Sequence, residues 1–139
     1  MGAIEVEHYL GRARDFLRGM ALLKDQLDQY SFSLALLAIH GAISYCDALR
    51  IGLGSKRVSS EDHKSVTREL VSLLASRRCD DRQGVERLER LLVYKSLVAY
   101  SVHRVSEKDI RLIVQQAERF AQWAERIGRQ LRVEGWEND

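Results

Sequence analysis

A chain of 139 residues with 45% apolar and 30% charged side chains fits one folded domain and excludes a disordered one. Its formal charge of +2 permits contact with nucleic acid without demanding it, and acids and bases interleave as they do on solvated helix faces. Proline is absent while Leu, Ala, Arg, Glu and Gln abound, which leans the whole chain toward helix.

Cys46 and Cys79 have neither the spacing of a metal site nor that of a disulfide framework, so no metal is expected, and reduced thiols suit the cytosol. The N-terminus carries Glu5 and Glu7 and has no basic-then-apolar order, unlike a signal peptide. Phe32 to Ile43, the most apolar stretch, is too short to span a bilayer. A soluble, cytoplasmic protein with no membrane partner is the expectation.

Five helices follow from the 3.6-residue period. The first, about residues 5–29, carries Val6, Leu10, Ala13, Leu17, Met20 and Leu27 on one stripe. The second, about 31–53, is apolar nearly all round, from Leu34 to Ile51, and belongs at the centre of a bundle. Gly52 and Gly54 end it. Ser59 or Ser60 is the natural N-cap of a third helix reaching Ala75, and residues 76–84 read as an exposed connection. The fourth, about 85–103, places Val85, Leu88, Leu92, Lys95 and Val102 on one stripe. Ser106 caps the fifth, which runs to about Leu131. Long helices with short links predict one all-α domain over residues 1–139, an up-and-down antiparallel bundle with a frayed tail at 132–139.

Function is sought where residues break this pattern. His40, Ser44 and Asp47, spaced by four and three, draw a polar stripe along the apolar second helix. Lys95 takes a core position on the fourth helix, and Tyr100 and His103 form a polar pair near that helix's end. A charge facing a core must be paired, hydrated or neutralised, so Asp47 and Lys95 are expected to meet or to line one wet cleft. A buried pair that merely fixes helix register, or a snorkelling lysine, is the structural alternative. Taken alone, His40 reads first as a hydrogen-bonded core histidine. His40, His63 and His103 lack zinc-ligand spacing, and Ser44 lacks a nucleophile elbow. Lys56, Arg57, Arg77, Arg78 and Arg82 are loop charges.

The succession LLAIHGAISYCDAL, DHKSV, LLVYKSLVAY and SEKDIRLIVQQAERFAQWAERI resembles a HEPN (higher eukaryotes and prokaryotes nucleotide-binding) domain over nearly the whole chain. The resemblance implies a four- to five-helix bundle, a homodimer, no cofactor, and a place in toxin–antitoxin, defence or RNA-processing systems, often beside a nucleotidyltransferase-type partner protein. Many such domains are metal-independent ribonucleases with an Arg followed four to six residues later by a His. Here Lys95 stands where many relatives carry Arg and no His follows at that interval. Arg57 and His63 have the spacing but lie in a loop and a helix start, so no catalytic residue is carried over.

Three functions follow. The first is a noncatalytic HEPN-like module binding a nucleotide, RNA or a partner protein through a polar cleft lined by His40, Ser44, Asp47, Lys95 and Tyr100. The second is a divergent ribonuclease with His40 or His63 as base and Lys95 as electrostatic stabiliser. The third is a structural or antitoxin-like interaction protein.

Overall fold

The computed structural model describes residues 2–56, 62–100 and 105–136, apart from the side chains of His63, Ala99 and Tyr100. Over these residues five α-helices make up an all-α bundle: α1 (Gly2–Leu23), α2 (Ser31–Gly52), α3 (His63–Ser76), α4 (Gln83–Tyr100) and α5 (Glu107–Gln130). Among the described residues there is no strand.

α2 is the axis. Leu34, Ala35, Ala38, Ala48 and Leu49 are fully buried, as its all-round apolar sequence requires. α1 runs antiparallel to it, with Gly52 of α2 against Val6, Gly41 against Leu17, and Gly19 of α1 against Leu37. α5 runs parallel to α2: their opening residues Glu107 and Ser31 line one cleft, and further along Tyr45 of α2 meets Glu125 of α5. α4 lies antiparallel to α5, with Arg87 bonded to Gln116 and Asp81, just ahead of α4, bonded to Arg126. α3 flanks the end of α2 through Glu69. Over Ser31–Gly52, α2 is long and apolar enough to cross a membrane, unlike the shorter stretch 32–43; 61% of its apolar window is buried in the bundle.

Helix ends depart from the periodicity in two places. α1 stops at Leu23 and a 3-10 turn, Lys24–Gln26, follows instead of helix to 29. The Gln26 carbonyl there accepts from both Gln29 and Tyr30, which turns the chain while Leu27 stays in the core. The N-cap of α3 is Asp62, whose carboxylate accepts the Lys64 N–H and the Ser65 hydroxyl; Ser59 and Ser60 lie outside the described residues. Ser106 does cap α5, accepting from the Asp109 N–H at 3.2 Å. α2 closes on Gly54 at φ +112°, with Ser55 N–H bonded to the Arg50 carbonyl and Gly54 N–H to that of Ile51.

The expectation of a frayed tail is overturned for residues 132–136. Val133 and Trp136 are 5% and 7% exposed. Arg132, at φ +52°, turns the chain back after α5, Val133 rests on Gly52, and the Trp136 indole lies against Gly128. Gly128 leaves the flat space an indole needs, because any Cβ there would collide with the ring. Burial of two large apolar side chains and the bond from the Trp136 indole N–H to Glu125 offset the freedom that the short segment loses. Residues 137–139 lie outside the description.

Candidate functional site

The polar stripe of α2 divides in two. At its far end, Asp47 accepts from Arg50 at 3.0 Å, one helical turn along. Arg50 is 1% exposed and its Nε donates to Glu69 of α3 at 2.6 Å, while the Ser55 hydroxyl donates to the same carboxylate oxygen. Arg50 is among the largest fully buried side chains of the protein, and its charge is tolerable there because carboxylates from two helices answer it. Asp47 therefore does not meet Lys95 in an ion pair; its partner among the described residues is Arg50. The sequence reading passed over Arg50 because an apolar helix draws attention to its acids and histidines. The available signal was an arginine three residues beyond an aspartate on such a helix.

Lys95 and the stripe do share a neighbourhood. Lys95 is half-buried on α4, and its charge reaches both His40 and Asp47. Burial is the first cause that lowers the His40 pKa, and Lys95 and Arg12 lower it further, so the imidazole is neutral at pH 7. Burial pushes Asp47 up to about 6, against the pull of Arg50, Arg12 and Lys95. Arg12 is the second residue missed. It comes from α1, its guanidinium carbon 5.6 Å from the centre of the Phe16 ring, and that ring lies 6.5 Å from the His40 imidazole. Arg12 lies off the apolar stripe of α1 and is exposed.

Ser44 is buried, at 4% exposure. Tyr100 is the last residue of α4 and its side chain lies outside the description, as do Arg57, His103 and the side chain of His63. His40, Asp47 and Lys95 thus belong to one neighbourhood on α2 and α4, completed by Arg12 of α1. Its chemistry is two cations from different helices, an imidazole whose charged form burial disfavours, and a carboxyl raised to about 6. Among the described residues no group of three His, Cys, Asp or Glu side chains could hold a metal ion.

A second polar centre does structural work. The carboxylate of Glu125 accepts two bonds from Arg14, at 2.8 and 2.9 Å, one from Tyr45 at 2.8 Å and one from the Trp136 indole at 3.1 Å. It ties α1, α2, α5 and the tail together. No protein-family model matches the chain, and no curated protein matches it.

Proposed function

We propose that the chain is a noncatalytic HEPN-like module that binds a nucleotide or RNA on the face where α1, α2 and α4 converge. The observation that carries this reading is that Arg12 and Lys95, on two different helices, both bear on His40 and Asp47 of α2. Cations brought together from separate elements suit a phosphate, and a neutral imidazole adds a hydrogen-bond donor and acceptor. Phe32 and Leu36, 49% and 42% exposed and eight and four residues before His40, would be covered by a second copy in a homodimer.

A thermal-shift panel of nucleotides tests the reading, since a ligand specific to the fold raises Tm by mass action. The expected result is a rise with one nucleotide class that Lys95→Ala abolishes. No shift at millimolar ligand would reject it in favour of a structural bundle.

The neutral state of His40 supports a second reading, ribonuclease action with His40 as base toward a 2′-hydroxyl and Lys95 stabilising the developing charge. Incubation with RNA in chelator decides it: cleavage lost in both His40→Ala and Lys95→Ala supports the reading, and absence of cleavage rejects it.

A further inference from the structure

Two acids of α5, Glu118 and Glu125, seven residues apart, are paired with Lys24 and Arg14 on the α1 side. Arg119, Gln122 and Arg126, spaced by three and four, form a neighbouring stripe toward α4. There a cleft of about 290 Å³ opens, and Gln83 and Arg87 of α4 supply its other wall.

No carboxylate lines this cleft. Asp81, beside it, accepts from the Trp123 indole at 3.0 Å and from Arg126 at 2.7 Å, so its charge is already engaged. Arg87 donates to the neutral amide of Gln116 at 3.0 Å, and among the described residues neither Arg87 nor Arg119 has an acidic partner. Three guanidinium groups thus face one engaged carboxylate. The floor is rigid: Trp123 is 4% exposed and rests on Gly84, where any Cβ would collide with the indole. A buried indole offers no face for stacking a base, so recognition here falls to the guanidinium forks, whose paired N–H groups match the oxygens of a phosphate.

We infer that the α4–α5 seam is a phosphate-ester site, built by Arg87, Arg119 and Arg126 and separate from the α2 face. The phosphate comes either from a free nucleotide or from the backbone of a nucleic-acid strand.

Calorimetric titration of the intact protein at low salt with inorganic pyrophosphate, ADP and a short single-stranded RNA tests this. Saturable binding of at least one probe is expected, weakened about tenfold or more in Arg87→Gln/Arg119→Gln. Arg18→Gln, an exposed change of the same charge on α1, is expected to leave affinity within about twofold of the wild type, as is usual for a charge outside the contact. Arg119→Gln alone, at an exposed position, gives a partial loss and guards against misfolding of the double variant. Binding of pyrophosphate or ADP identifies a free phosphate compound as a source, and binding of RNA alone identifies the strand. No saturable binding of any probe, equal affinity for double variant and wild type, or an equal loss in Arg18→Gln would each overturn the inference. RNA binding that Lys95→Ala abolishes and the double variant retains would overturn it while leaving the α2-face reading intact.

Discussion

Arg50 and Asp47 are one helical turn apart on the most buried helix of the bundle, and the 3.0 Å bond between them is the answer to a charge that the core would otherwise reject. Glu69 completes the arrangement from α3. The acid expected to reach across the bundle instead stabilises its own helix's arginine.

This geometry has a defined pH signature. Asp47 is raised from an ordinary value of 3.8 to about 6 by burial, so the fold favours its protonated form. Its contribution to stability is largest below pH 3.8 and declines as pH rises through about 6. The stability of Asp47→Asn relative to wild type should therefore climb across that window, by up to about 3 kcal/mol. Denaturant melts of both proteins between pH 4 and 7 check this; a constant difference would refute it.

Glu125 has the opposite sign. Burial pushes its carboxyl up, but the hydrogen bonds from Arg14, Tyr45 and Trp136 outweigh it and leave the group below its ordinary 4.5. The stabilisation is complete above that value and is lost as pH falls below it. Glu125→Gln should cost roughly 2–4 kcal/mol at pH 7, with a shallower acid limb than wild type, because Arg14 and two aromatic donors lose their common charged acceptor. Equal stability of the two proteins at pH 7 would remove Glu125 from the account.

The docked tail gives a packing test. Trp136→Ala should destabilise by about 3–5 kcal/mol, as for other large buried side chains. Gly128→Ala should cost about 1–3 kcal/mol by forcing the indole off its seat. Chemical denaturation reads both, and a neutral Trp136→Ala would return the tail to solvent.

Among the described residues two arginines hold left-handed backbone, Arg78 at φ +58° after α3 and Arg132 at φ +52° after α5. Arg78 is exposed, and its N–H bonds to the Ala75 carbonyl in the turn that ends α3. Arg78→Gly should raise stability by about 0.5–1 kcal/mol, since glycine adopts that conformation without steric cost. An unchanged or lower Tm would contradict it.

Periodicity made α2 legible because every turn of it is apolar, and Ser106 was legible because a capping serine acts within four residues. The same method placed Lys95 on the inner stripe of α4, where the structure leaves it half-buried beside α2. Arg12, Trp136 and the reach of Arg50 to Glu69 were not legible; of Arg50 only its spacing from Asp47 could be read. Their roles depend on which helix comes alongside, and a pattern within one helix does not encode its neighbours. The notches at Gly84 and Gly128 escape for the same reason, since an indole from elsewhere in the chain gives each its purpose.

The direct test of the α2-face site is the imidazole titration of His40, followed by NMR in wild type and in Lys95→Ala. The account predicts a wild-type pKa below 6.5 that moves upward when the ammonium is removed. A His40 pKa identical in the two proteins would show that the charge of Lys95 does not reach α2.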